Sequence, residues 1–167
     1  KRFSFELITL QSHKGPIFDS LLAIWRNSLQ ALGVDVRVTF LSPSDFVGRM
    51  ILHDFDAAYF KWWPDIADPD PFVLLHSSQI GEGANYAGYA NANADRLLEK
   101  ARGTTDRWAR RENYRDLHRV IHDDQPYTFI YSPITHYAWG RRVHGVNPID
   151  IGSLARSPGI SMWWVDP

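Results

Sequence analysis

The sequence contains no cysteine among its 167 residues. This absence excludes disulfide bonds, thiolate metal sites and cysteine nucleophiles, and it is compatible with either redox compartment. An excess of charge of one sign is also lacking, because 18 basic residues face 19 acidic ones and the formal net charge is −1. Unless one face is locally polarised, such a chain lacks the positive field of a nucleic-acid or membrane-surface binder, so we expect no nucleic-acid partner.

Long apolar runs and the common catalytic signatures are absent as well. No run approaches the roughly 20 apolar residues that cross a bilayer, and no basic and then apolar leader opens the sequence. There is no Gly-x-Ser-x-Gly elbow and no Gly-rich phosphate loop after a predicted strand. A catalytic pair of carboxylates for glycoside hydrolysis is still possible, because acidic residues are plentiful. No spacing in the sequence singles out one such pair.

Aromatic residues are abundant, at 14% of the chain with seven Trp, and they can serve either a core or a ligand surface. The length suits one domain with a hydrophobic core and is too short for two ordinary domains. The sequence opens inside a predicted strand and closes in a Trp-rich stretch. We therefore expect it to be part of a longer protein.

Hydrophobic periodicity predicts an α/β fold. Alternating apolar and polar residues predict two strands, and a continuous apolar run predicts a third, central strand. Proline at the first helical turn, glycine after the last turn and a capping serine predict helices between these strands. The resulting β-α-β-α-β order favours parallel pairing. The predicted strands are 3–10, 34–41, 55–62, 127–131 and 135–139, and the predicted helices begin at Pro16, after Ser42, after Asn93 and after Thr105.

A pair of histidines, His118 and His122, is spaced so that both imidazoles lie on one helix face, as in some zinc sites. The metalloprotease version of this motif needs Glu after the first His, and Arg119 stands there instead. More often, this spacing simply places two half-exposed His side chains on a solvated helix face. We therefore predict no metal site.

The segment from Lys61 to Pro71 is the most informative one. It begins where the third predicted strand ends, which is where open α/β sheets hold ligands. If the strand persists, Trp62 and Trp63 point to opposite faces, so one of them is free to face a ligand or a partner. Asp65 follows in a proline-braced loop. The same residues also fit a Pro-Asp turn over aromatic packing, so both interpretations stay open.

This segment resembles a signature of the C-terminal lobe of family 5 extracellular solute-binding proteins, which serve ABC importers of dipeptides, oligopeptides, nickel and related cargo. Three further segments resemble the family in order and spacing, and the resemblance covers about residues 1 to 147. The matching segments are Trp62-x-x-Asp65-x-x-Asp68-Pro69-Asp70-x-Phe72, Leu29-x-x-Leu32-Gly33-Val34-Asp35-Val36, Asn85-Tyr86-x-Gly88-Tyr89 with Asp95-x-Leu97-Leu98-x-x-Ala101, and Arg110 to Ile121 with Asp124-x-Pro126-Tyr127.

The resemblance implies a periplasmic-binding-protein-like (type II) lobe, with a mixed, mostly parallel sheet flanked by helices. Two such lobes close around a ligand, and a membrane ABC permease reads the closed state. Residues 1–147 would form the C-terminal ligand-binding lobe, and 148–167 would return toward a first lobe that this chain lacks. A tail folded back on its own lobe is the alternative. The implied location is periplasmic or otherwise extracytoplasmic.

The resemblance also implies site residues. In peptide-binding members an Asp at the position of Asp65 pairs with the α-ammonium of the ligand, and a Trp at the position of Trp62 lines the pocket. Lys61 stands where a small residue is usual, and Trp63 replaces a small or polar one. Some oligopeptide binders carry Arg on this strand for ligand carboxylates, where this chain offers Tyr59 and Lys61. We therefore expect these five residues to contact the substrate, and we expect Asp68 and Asp70 to shape the loop.

Peptides are the expected cargo because of Asp65. An oligosaccharide is the second expectation, because the bulky Trp63 favours flat ligands, and a metal chelate is the third. We expect no catalytic residue and no cofactor. A carboxylate-dependent hydrolase is the competing class, and it would need a second carboxylate across a cleft from Asp65. A module that associates through the Trp-rich tail is a third possibility.

Overall fold

A computed structural model describes residues 3–62, 70–132, 134, 136, 138–146 and 162–166. The chain divides into two compact units, of which the first comprises Lys1–Trp62 with Asp70–Pro126 and the second comprises Trp63–Pro69 with Tyr127–Pro167. The first unit contains a parallel sheet with helices. The second contains a short antiparallel ribbon. This combination confirms the predicted class, a mostly parallel α/β fold.

The sheet of the first unit consists of β1 (Phe3–Leu10), β2 (Val34–Leu41) and β3 (Ala57–Tyr59) in the order β2-β1-β3. Both pairs are parallel, so their carboxyl ends lie at one edge of the sheet. Parallel neighbours need crossover connections, and helices α1 (Pro16–Ala31) and α2 (Pro43–Ile51) provide them.

Both helices begin and end where local chemistry predicts. Pro16 occupies the first turn of α1, and Gly33 follows the helix with a φ of 79°, a left-handed conformation that glycine adopts without strain. In α2 the Ser42 hydroxyl accepts a hydrogen bond from the Asp45 amide, while Pro43 begins the helix.

Side chains of β1 alternate between two cores, one on each face of the sheet. Leu7 packs with Phe18 and Leu22 of α1. Its neighbour Ile8 packs with Phe46 and Met50 of α2 on the opposite face. This alternation follows from the period of a strand, and it buries β1 on both faces.

The third strand is shorter than predicted. The sequence predicts a central strand over 55–62, whereas β3 covers Ala57–Tyr59 and, among the described residues, lies at the edge of the sheet. At its start the Asp56 carboxylate accepts a hydrogen bond from the Glu6 amide, in place of a strand-to-strand bond. At its end β3 pairs Tyr59 with Thr9, and β1 continues for one residue, to Leu10, before it leaves the sheet as a 3-10 turn, Gln11–His13.

The remaining regular elements of the first unit are helical: α3 (Phe72–Leu75), a 3-10 turn (Ser77–Gln79), α4 (Ala92–Arg102) and α5 (Arg107–Asp124). Asn91 caps α4 and Asp106 caps α5, so both predicted caps are displaced by one or two residues. Local signals define a cap only loosely, because neighbouring Asn, Asp and Thr side chains compete for the same amides. The buried side chains of α4 and α5 are Ala94, Leu97, Leu98, Ala101, Asn113, Leu117 and Ile121.

In the second unit β4 (Val143–His144) pairs with β5 (Trp164–Val165) in antiparallel fashion. Gly145 follows β4 with a φ of 74°, and a Cβ there would collide with the carbonyl oxygen of Met162. The strand predicted over 127–131 is wrong, since those residues form neither helix nor strand. Two residues of the strand predicted over 135–139 lie outside the described part of the chain. The predicted boundary at residue 147 stays a prediction.

Within the described segments, no helix is both long enough and apolar enough to span a membrane.

Candidate functional site

The carboxyl edge of the parallel sheet brings together the ends of β1 and β3. Lys61 and Trp62 come after β3 with only Phe60 between, so the sheet places both of them just beyond this edge. Both side chains are exposed. Open α/β sheets hold ligands at such an edge, where loops emerge from neighbouring strands. The described part of the predicted site therefore lies where the fold favours ligand binding.

Three aromatic rings, those of Phe60, Trp62 and Tyr86, form a cluster here. The Trp62 and Tyr86 rings are nearly parallel, with an interplanar angle of 7° and centroids 5.9 Å apart. Phe60 meets both rings nearly edge-on, with centroids 4.9 Å from Trp62 and 6.3 Å from Tyr86. Trp62 nevertheless keeps 38% of its surface exposed. The cluster combines a fixed arrangement with an open apolar face.

The loop that carries Tyr86 is held by the fully buried Asn85. The Asn85 amide nitrogen donates to the carbonyl oxygens of His76 and Tyr89, at 3.0 and 2.8 Å. Its side-chain oxygen accepts from the Tyr89 amide at 3.0 Å. Because a buried amide with several partners tolerates little movement, this network fixes the loop.

Tyr86 belongs to the matching segment Asn85-Tyr86-x-Gly88-Tyr89, but it is not among the residues expected at the site from the sequence. Its pairing with Trp62 joins two segments that are distant in sequence. The abundance of aromatic residues in the sequence indicated that rings could form a ligand surface, but it did not indicate which rings pack together.

Tyr59 lies at the end of β3 but turns its ring toward the α1 side of the sheet. The ring packs against Phe18 and Trp25, with centroids 4.8 and 6.2 Å away. It also contacts the edge of His13, at 5.3 Å. Tyr59 thus packs with the core beneath α1, whereas Trp62 stacks on Tyr86. Whether Tyr59 contacts a ligand stays a prediction.

A hydrogen-bonded pair supports the same edge. The Thr9 hydroxyl donates to the Tyr59 carbonyl oxygen at 2.8 Å and lies 2.9 Å from Nδ1 of His13. A hydroxyl has one proton to donate, so Nδ1 of His13 is the donor in the second bond. Burial, followed by the positive charge of Lys61, lowers the pKa of His13 below its usual value.

Trp63 and Asp65 lie outside the described residues, which resume at Asp70. The Asp70 carboxylate forms an ion pair with Arg102 of α4, at 2.8 Å, and accepts a hydrogen bond from the Phe72 amide, at 3.1 Å. Asp70 therefore ties the start of the following segment to α4.

The histidine pair on α5 does not form a metal site with other described residues. His118 and His122 are both exposed, and Nδ1 of His122 lies 3.2 Å from an Asp123 carboxylate oxygen. Among the residues whose placement is described, no group of three or more His, Asp or Glu side chains is arranged to hold a metal ion.

A parallel sheet with helices on both faces and exposed residues at its carboxyl edge agrees with the expected class, a lobe of the type II periplasmic-binding-protein fold. The chain is similar to the oligopeptide-binding protein AppA of Bacillus subtilis, with 33% identity over 167 residues, which make up 99% of this chain and 30% of AppA. It is also similar to the probable D,D-dipeptide-binding periplasmic protein DdpA of Escherichia coli, with 29% identity over 83% of this chain and 27% of DdpA.

Solved structures show the same relationship. The structure of Bacillus subtilis AppA in complex with a nonapeptide matches with a TM-score of 0.80 and 32% identity, over 100% of this chain and 32% of that one. The periplasmic binding protein DppA of Helicobacter pylori, in complex with the peptide STSA, matches with a TM-score of 0.64 and 27% identity, over 75% of this chain and 24% of that one. No protein-family model matches the chain.

The resemblance expected from the sequence is therefore confirmed. The chain resembles the family 5 extracellular solute-binding proteins and corresponds to part of one lobe. It spans about a third of the length of the relatives it matches.

Proposed function

We propose that this chain is the C-terminal ligand-binding lobe of a two-lobed, substrate-binding component of an ABC importer, and that its cargo is a peptide. One observation carries the proposal, namely the match along the whole chain to a protein whose structure holds a nonapeptide. Ligand contacts on two lobes favour the closed state over the open one, and a permease distinguishes the two states.

Asp65 is the proposed partner of the α-ammonium group of the peptide. A cation enclosed between two lobes loses its hydration, and this loss is costly unless a carboxylate is in place. Trp62 and Trp63 are the proposed apolar walls beside it. Lys61 is exposed at the carboxyl edge of the sheet and has the charge to attract a carboxylate of the ligand. Tyr59 completes the proposed set of contacts.

Binding without catalysis is the proposed role. The relatives described above are named as binding proteins, and we assign this chain no catalytic residue. Their peptide-related names favour peptides over an oligosaccharide or a metal chelate. The proposed partners are the membrane permease and a first lobe of the same protein. The proposed location is extracytoplasmic, and both DdpA and DppA are described as periplasmic.

Native mass spectrometry of the full-length protein that carries this chain, purified without refolding, tests the proposal. We expect bound masses that dissociate as peptides with free amino ends. An Asp65→Ala variant should lose them, because no carboxylate then meets the buried ammonium. Asp35→Ala, at an exposed position of β2, is the matched control and should keep them.

Other outcomes would contradict the proposal. A bound sugar or metal chelate would keep the lobe architecture and reassign the pocket to Trp62 and Trp63. A protein that carries no ligand and converts an added substrate would be an enzyme.

A further inference from the structure

We infer that Tyr86 is a positioning residue for Trp62, and that the two rings form one wall of a subsite for a flat, apolar side chain of the bound peptide. This inference rests on the proposed function and adds to it a specificity-determining pair and a class of side chain.

The geometry of the pair supports the first part. Ring planes 7° apart with centroids 5.9 Å apart describe two parallel rings that are displaced sideways. Offset stacking of this kind is a favoured arrangement of aromatic side chains, and it defines the plane of both rings. Because the overlap is partial, 38% of Trp62 stays exposed. Tyr86 thus restrains the indole without covering it.

The surroundings of Tyr86 make it a firm support. The adjacent Asn85 is fully buried and holds the loop by three hydrogen bonds. His53, at the end of α2, has its two ring nitrogens 3.2 Å from the Tyr86 carbonyl oxygen and 2.9 Å from that of Ile80. Phe60 closes the cluster nearly edge-on. A side chain held in one orientation before binding loses less conformational freedom when a ligand arrives.

The exposed part of the indole selects the kind of side chain. Aromatic rings stack favourably on flat apolar groups in offset or edge-on arrangements. A flat, uncharged side chain such as that of phenylalanine therefore fits the 38% of the Trp62 surface that stays exposed.

The test uses the full-length protein and a panel of tripeptides. Isothermal titration calorimetry compares Ala-Ala-Ala with the three peptides that carry one Phe. For wild type we expect one Phe position to bind about fivefold more tightly than Ala, the range of an aromatic pair. Tyr86→Leu should remove most of this preference, so that the ratio of the affinities for the Phe peptide and for Ala-Ala-Ala falls towards one. Tyr86→Phe keeps the ring and should retain the preference.

A second readout needs no ligand. Stacked rings give a coupled near-ultraviolet circular dichroism signal, so Tyr86→Leu should change the spectrum of the folded protein. The same substitution made in a Trp62→Phe background should change it much less. Tyr114→Leu, on α5, is the matched tyrosine control and should give an equal change in both backgrounds.

The two readouts separate the possible failures. If wild type binds no peptide, the proposed function and the subsite fall together, and the spectra still decide whether Tyr86 positions Trp62. If peptides bind but Tyr86→Leu keeps the Phe preference, the subsite is wrong while the proposed function stands. If the spectral changes are equal in both backgrounds, the positioning role is wrong.

Discussion

The Nε atom of Arg102 lies 2.8 Å from an Asp70 carboxylate oxygen, as an ion pair, while the Arg102 guanidinium lies 4.2 Å from the centre of the Phe72 ring. Phe72 in turn stacks on His76, with centroids 4.1 Å apart. One arginine therefore joins α4 to the segment that begins at Asp70, by an ion pair and by stacking.

Replacing this arginine should weaken the first unit. We expect Arg102→Met to lower the free energy of unfolding by about 1 kcal/mol, because the ion pair is partly exposed and the cation–π contact adds a comparable amount. Urea denaturation measures the change. Arg115→Met is the control, since Arg115 pairs with Glu112 on the same exposed helix face and has no other ion pair within the described part of the chain. Equal effects of the two substitutions would show that the link to Asp70 contributes nothing.

Asn85→Ala should be much more damaging. It removes three hydrogen bonds and leaves two carbonyl oxygens and one amide to find other partners. We expect a loss of about 2 to 3 kcal/mol in unfolding free energy, measured by thermal or urea denaturation. Asn93→Ala, where the side chain is exposed and accepts one bond from Arg96, should cost far less. A small loss of unfolding free energy in Asn85→Ala would mean that water readily takes the place of the Asn85 side chain in these hydrogen bonds.

The contact between α4 and α5 gives a test of packing. Leu98 is fully buried, whereas Leu32, after α1, is 78% exposed. Leu98→Ala should cost about 2 to 5 kcal/mol, because the cavity adds to the lost burial. Leu32→Ala should be nearly neutral. Hydrogen exchange of the α4 and α5 amides measures the loss locally, and unchanged protection in Leu98→Ala would contradict the described packing.

His13 should make stability depend on pH. Its pKa is lowered from 6.5 by burial and by the charge of Lys61, so the folded state favours the neutral ring. As pH falls below the unfolded pKa, the unfolded chain binds a proton that the folded chain still excludes, and stability decreases. The decrease continues to the folded pKa and then levels off.

His13→Asn should remove this contribution. Urea midpoints at about pH 8 and about pH 5.5, on either side of the histidine range, measure it. We expect the midpoint of the wild type to fall by more than that of the variant. His118→Asn is the control, because that side chain is exposed on α5. Identical pH dependence in wild type and His13→Asn would contradict the prediction.

Much of the fold could be predicted because its signals are local. The cap at Ser42 and the glycine at position 33 act within one helical turn, and the alternation in β1 acts between adjacent residues. Interpretations that needed a distant partner were less accurate. The strand over 55–62 was predicted too long, because its length depends on where β1 leaves the sheet. The strand over 127–131 was predicted from apolar residues without a pairing partner.

The sequence alone determined the α/β order, both crossover helices and the family resemblance, since helix caps, hydrophobic periods and linear motifs are all carried by neighbouring residues. Tertiary structure alone decided that β1 is the centre of the described sheet, that Tyr59 faces α1, and that Tyr86 supports Trp62. These relationships join side chains far apart in sequence. They form only when burial of both sheet faces outweighs the entropy lost on bringing distant segments together.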